Sequence, residues 1–262
     1  MGLKGRALSP VVATVILTSI MLTTVAVAVY FSTSLIDAHR QRMEYESAKE
    51  LLSYAATAFE QVALGTGGAR YVRFSLASTG LNFEQTPYTL EVTLGEGKQI
   101  SLQLRRVSIC AAPLVTTVDR VIYPEGGFLS ELNKLIVGAG EPIALVYESF
   151  SGRACAFLEP RRVRAIYSGV TYVIEDGQKK LYNYYTIHAV EVTFGRVGGA
   201  GTIPLIFRNK GVTVLEYRFN TPSVTISASL NGIKSERKLT GSQEASGSIV
   251  IVKISRVEVA TG

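Results

Sequence analysis

Residues 8–36 read LSPVVATVILTSIMLTTVAVAVYFSTSLI, a run without one charged side chain. A helix rises about 1.5 Å per residue, so roughly 20 apolar residues cross the ~30 Å hydrocarbon layer of a bilayer. The run is long enough to span. Burying it inside a globular domain would need a larger protein around it, because it is apolar on every side. No second such segment occurs, so this chain alone is not expected to form a channel or a transporter. A cleaved secretory signal is the nearer rival, but its apolar core is only about 7–15 residues long. The text that follows, DAHRQRMEYESAKE, is charged and helical and offers no small-residue exit. The segment is therefore expected to stay attached.

Outward from that run, residues 37–64 contain neither Pro nor Gly, and good helix formers dominate. Met43, Ala48, Leu51, Leu52, Ala55, Ala58, Phe59 and Val62 recur mostly at steps of three and four, an apolar stripe on a polar helix. Gly65-Thr66-Gly67-Gly68 ends it. One continuous helix from about Pro10 to Leu64 is expected, on the order of 80 Å long. Pro10 stands near its start, where a missing N–H is harmless. The outer half must pack either on its own C-terminal domain or on neighbouring copies. The stripe lacks the sustained heptads of a coiled coil.

The stretch Lys4-Gly5-Arg6-Ala7-Leu8-Ser9-Pro10-Val11-Val12-Ala13-Thr14-Val15-Ile16-Leu17 resembles the start of archaeal type IV pilins and related class III signal-peptide proteins. That resemblance implies a short basic leader, residues 1–7, removed by a membrane-embedded prepilin peptidase. Lys4 and Arg6 would belong to the leader, Ala7 would be its last residue, and Leu8 would open the mature chain. Ser9, Pro10, Val11 and Val12 would begin the assembly helix, with Val15 and Leu22 deeper in it. The retained segment would be a single-pass membrane anchor before assembly and the helical core of a surface filament afterwards. Its partners would be copies of itself, the peptidase and the pilus assembly machinery. Bacterial type IV pilins usually carry Glu as the fifth mature residue; Val12 stands there, so registration of subunits by that charge is not available. The Ser-Pro-Val start is closer to adhesive pilins than to motor-filament subunits. The resemblance covers residues 4–30 and says little about the rest.

After Gly68 the spacing changes from helical to alternating. Candidate strands are Arg70–Leu76, Tyr88–Leu94, Gln99–Ser108, Val115–Tyr123, Ile143–Tyr147, Val163–Tyr167, Thr171–Glu175, Leu181–Phe194, Ile203–Phe207, Val212–Phe219, Ser223–Leu230, Ile233–Leu239 and Ser248–Val259. Gly95-Glu96-Gly97-Lys98, Asp176-Gly177 and Asn231-Gly232 are hairpin signals. Residues 129–137 are ambiguous and compatible with a short helix. Crossover helices of a parallel α/β fold are missing from this region. The expected class is α+β: a long N-terminal hydrophobic helix (8–64, anchor or filament core 8–36) followed by an all-β, sandwich-like (immunoglobulin-like) domain over 69–262. Two smaller sandwiches divided near GRVGGAG, 195–201, are the alternative to one.

Charge and chemistry narrow the function classes. Lys and Arg total 27 against 21 Asp and Glu, a formal +6. The excess lies after residue 64, densest at Arg161, Arg162 and Arg164, and reads as a solvated face because no nucleic-acid module accompanies it. Only 18% of residues are charged, below the roughly 25% usual for a soluble domain. Cys110 and Cys155 lie in the part expected outside the cell. They suit a disulfide closing a loop of about 45 residues, and two separately buried thiols remain the alternative. His39 reads as a solvated helix residue and His188 as a partly buried strand residue. Phosphate-binding, HExxH, calcium-loop and nucleophile-elbow patterns are absent, as is any Asn-linked glycosylation sequon. No cofactor, metal, nucleic acid or catalytic residue is expected. Two functions stay open: a structural filament subunit whose outer domain mediates adhesion, or a solitary or minor pilin-like anchored protein that uses its sandwich to bind a surface partner.

Overall fold

The computed structural model describes residues 10–65, 67–95, 97–113, 115–175, 177–199 and 201–262. The leader residues Lys4, Arg6 and Ala7, the expected mature start Leu8-Ser9, and the turn residues Thr66, Glu96 and Asp176 lie outside the described residues.

One helix, α1, runs from Pro10 to Leu64. The remainder is β-rich: β1 (Ala69–Leu76), β2 (Gly80–Leu94), β3 (Lys98–Cys110), β4 (Arg120–Tyr123), β5 (Ile136–Val137), β6 (Leu145–Phe150), β7 (Ala154–Glu159), β8 (Val163–Glu175), β9 (Gln178–Phe194), β10 (Gly201–Phe219), β11 (Ser223–Leu230), β12 (Ile233–Thr240) and β13 (Gly247–Thr261), with a 3-10 turn at Leu129–Asn133. They form two sheets, of order β1-β10-β13-β9-β8-β5 and β12-β11-β2-β3-β7-β6-β4. The arrangement is a sandwich with more strands than the seven to nine of an immunoglobulin domain. It also contains two parallel pairs, β13 with β9 and β5 with β8. The parallel β9 and β13 need no crossover helix, because the chain between them passes through β11 and β12 of the other sheet.

Several boundaries differ from the sequence reading. Val163–Tyr167 and Thr171–Glu175 are one strand with a register shift between Tyr167 and Gly169. Ile203–Phe207 and Val212–Phe219 likewise join through a shift between Asn209 and Gly211. Each bulge interrupts the alternation on which the strands were read. Residues 115–119 precede β4 without pairing, and β7 and β5 were not anticipated. The 195–201 segment connects β9 to β10 within one sheet, so it does not divide two sandwiches.

Among the described residues a small buried cluster gathers Tyr182, Ile249 and Ile251, and two large ones fill the space between the sheets. In one, the sheets face each other directly: Leu90, Leu94, Leu102, Leu104, Ile226 and Leu230 meet Tyr185, Ile187, Val250 and Val252. In the other, α1 packs against both sheets. Tyr45, Leu52, Ala55, Phe59 and Val62 lie with Phe74, Leu205, Phe207 and Val257 on one side and Ile109, Val146, Ala156 and Leu158 on the other. The outer half of the helix is thus part of the domain's core. The buried helix positions are Tyr45, Ala48, Lys49, Leu52, Ala55, Ala56, Phe59, Val62 and Ala63, a run of three- and four-residue steps. Met43, placed on the stripe by sequence, is 73% exposed. Tyr45, two residues on, holds that position instead, since its ring is apolar while its hydroxyl finds a buried partner.

Candidate functional site: the bare helix and its seat

From Pro10 to Ile36 the helix has no burial against the rest of the chain, and it is long and apolar enough to cross a membrane. Val11, Val12, Val15 and Leu22 all lie open on this segment. Its threonine hydroxyls are satisfied internally: Thr14 donates to the Pro10 carbonyl at 3.1 Å, Thr18 to Thr14 at 2.9 Å, Thr23 to Ser19 at 2.8 Å and Thr33 to Val29 at 3.0 Å. Thr24 bonds back to Ile20 in the same way. Such back-bonding leaves no threonine donor seeking water, so the surface presented is more apolar in practice than the hydroxyl count suggests. Ala13, Ala26 and Ala28 supply small positions at which a second helix can approach.

Where the helix enters the domain, charged groups hold it. Glu44 accepts from the backbone N–H of Ala77 (2.7 Å), Ser78 and Thr79, and from the hydroxyls of Ser78 and Thr79 at 2.7 Å. Burial raises the carboxyl's pKa, but the Thr79 and Ser78 donors outweigh it and hold Glu44 at about 2. One turn on, Lys49 reaches Glu148 at 3.0 Å, with side chains 5% and 0% exposed. Arg120 also bonds Glu148, and the Tyr45 hydroxyl lies 3.4 Å from it. Desolvation pushes Glu148 up, yet the Thr117 hydroxyl, Lys49 and Arg120 bring it below the ordinary carboxylate value. Tyr45, desolvated beside that carboxylate, is pushed up.

Near the helix C-terminus, Glu60 accepts from the Ile143 and Ala144 amides and pairs with Arg164 at 2.9 Å. Asn209 donates to the Val62 carbonyl at 3.0 Å, satisfying one of the free carbonyls of the last turn. Gly65 follows, where a Cβ would lie 2.7 Å from the Gln61 carbonyl oxygen. The helix is therefore fixed at its entry, middle and end, and residues 10–36 are left exposed throughout.

The arginine cluster is not a solvated face. Arg162 is 1% exposed and donates to the Lys134 and Glu131 carbonyls and to the Glu131 carboxylate at 2.7 Å. Arg164 holds Glu60 and the Glu141 carbonyl. Arg161 lies 3.6 Å from Glu159. Sequence reasoning missed this because the acidic partners of Arg162 and Arg164 are distant in the chain, although Glu159 stands two residues from Arg161. Glu44, Lys49, Glu60 and Glu148 escaped it for the same reason. The one available signal was a Lys standing at an apolar step of the helix.

Cys110 and Cys155 face each other across β3 and β7 and are joined as a disulfide. His39 is exposed on the helix. His188 is half-buried, and burial, with Lys253 and Arg164 nearby, lowers its pKa. Among the described residues no group of three His, Cys, Asp or Glu is placed to hold a metal ion. No protein-family model matches the chain, and no match was found among curated proteins or solved structures.

Proposed function

We propose that the protein is a structural subunit of a surface filament of the archaeal type IV pilus kind, anchored and then assembled through residues 8–36. The observation that carries this reading is the division of α1. Its second half is built into the core of its own domain, while residues 10–36 remain uncovered and uncharged. A bare apolar rod of that length is unfavourable in water at about 25 cal/mol per Å². Lipid covers it before assembly, and copies of the same helix cover it afterwards. The rigid seating of the outer half gives each subunit one fixed angle between helix and sandwich, which a regular helical assembly requires. The sandwich then coats the filament and mediates adhesion. The role is structural and does not invoke catalysis.

Electron microscopy of host cells labelled with antibody against the sandwich tests this. Regular labelling along thin fibres is the expected result. Labelling confined to the envelope, with complete extraction as monomers in mild detergent, overturns the filament and leaves a solitary anchored binding protein.

A further inference from the structure

Sheet edges expose unpaired backbone groups, and folded proteins normally guard them with charge, shortness or a covering element. Most edges here are guarded, and the stretch of β10 past Gly211, which pairs with β13 alone, carries Glu216 and Arg218. The β12 edge carries Lys234, Glu236, Arg237 and Lys238 within eight residues. The β4 edge has four residues and β5 two. The β1 edge bears Arg70 and Arg73 and lies against α1.

β8 is different. β5 pairs with it only at Val163 and Arg164. Beyond Ile166, among the described residues, its backbone is hydrogen-bonded to β9 alone. This free stretch, SGVTYVIE over residues 168–175, has no Pro and a single charge. Val170, Tyr172 and Ile174 alternate along it and are 48%, 69% and 71% exposed. Their face is opposite to that of Val173, which packs on Tyr182, Ile249 and Ile251, as strand periodicity requires. The one charge, Glu175, is already held by Lys180 at 3.0 Å and by the Tyr182 hydroxyl at 2.9 Å.

We infer that this edge pairs with the same edge of a second copy, antiparallel and centred on Tyr172. The segment is self-complementary in that register: Tyr172 stands opposite Tyr172, and Val170 opposite Ile174 in both directions. Directly opposed residues of an antiparallel pair share a face, so six exposed apolar side chains meet on one side of a continuous double sheet. On the other side Thr171 meets Val173 and Gly169 meets Glu175, which sets no like charges against each other. The occupant is a second copy rather than an unrelated strand because the chain's own sequence sets the exposed Val170, Tyr172 and Ile174 against one another and opposes no like charges. The contact lies at the end of the sandwich away from the entry of α1, where Leu76 pairs with Gly201 and Glu44 is held. It therefore joins domains independently of the helix and does not rest on the filament reading. One strand edge is small beside the ~1,200 Å² of a stable interface. The pairing is weak singly and gains strength where many copies are aligned.

Covalent trapping reads such a contact directly. Both native cysteines are in the disulfide, so an introduced thiol is the sole free one. The full chain in mild detergent, as Tyr172→Cys, is expected to form a disulfide-linked dimer under gentle oxidation. Its rate should be roughly tenfold or more above that of Arg256→Cys, a control whose native side chain is 57% exposed on β13, a strand of the same sheet paired on both sides, because directly opposed Cβ atoms lie within disulfide reach. A mixture of Val170→Cys and Ile174→Cys proteins should yield the mixed dimer in preference to either homodimer. Adding Ile174→Lys to Tyr172→Cys should abolish trapping. These side chains are exposed, and an unchanged melting curve verifies that each variant is folded. Equal rates for Tyr172→Cys and Arg256→Cys overturn the inference, as does a trapped dimer indifferent to Ile174→Lys.

Discussion

Glu148 keeps its charge with no exposed side-chain surface, and Lys49, Arg120 and Tyr45 compensate it. Removing one partner of a buried pair leaves a charge in low dielectric, so Lys49→Ala is expected to cost about 3–5 kcal/mol. Replacing both partners, Lys49→Met with Glu148→Leu, should recover part of that loss. Urea unfolding of the three proteins measures it, and a single-variant cost below ~1 kcal/mol contradicts the assignment. Glu44 makes a pH prediction of definite sign. Its folded pKa is depressed from the ordinary carboxyl value of 4.5 to about 2. The stability it contributes is fully present above the unfolded value and is lost as pH falls through the folded one. Melting temperature should therefore fall more steeply between pH about 4.5 and 2 in the native protein than in Glu44→Gln; parallel curves would exclude Glu44 as a determinant.

The helix is one element doing two unlike tasks, and truncation separates them. A chain beginning at Asp37 loses only residues without burial in the domain and is expected to fold in water without detergent, with an unchanged melting temperature. A chain beginning at Leu52 also loses Tyr45, Ala48 and Lys49 from the core. Deleting one large buried side chain typically costs about 2–5 kcal/mol, and stranding Glu148 adds to it. The sum approaches the ~5–15 kcal/mol that stabilises a typical domain, so this second chain should be unfolded by circular dichroism and rapidly proteolysed. Equal stability of the two would mean that the helix is an appendage and not a core element.

Across the whole molecule, the disulfide ties β3 to β7 over a sequence separation of 45 residues. The unfolded-chain constraint for a loop of that length is worth about 4 kcal/mol. Cys110→Ala with Cys155→Ala should accordingly lower the melting temperature by roughly 5–15 °C. Both cysteines lie on the sheet's half-exposed outer positions, so the loss reflects the missing cross-link with little contribution from a cavity. A melting temperature unchanged on calorimetry would show that the ladder alone holds these strands.

Local signals made much of this architecture readable. The uncharged run 8–36, the absence of Pro and Gly to Leu64, and the alternation after Gly68 each depend on residues near in the chain, where periodicity directly reflects the helix or strand. Asn231-Gly232 was equally legible, since both residues take positive φ, 47° and 79°, as a tight hairpin turn demands. The bulges in β8 and β10 were not, because one extra residue reverses the parity and makes one strand read as two. Sequence also could not reveal the partners of Lys49, Glu60 and Arg162, which lie 99, 104 and 31 residues away. The bare half of α1 was determined by the sequence itself, because a helix apolar on all sides is excluded from water wherever it goes. That the other half lies between two sheets, and that the end of β8 has β9 as its neighbour on one side alone, was decided only by the tertiary structure: burial and edge position belong to packing between distant segments.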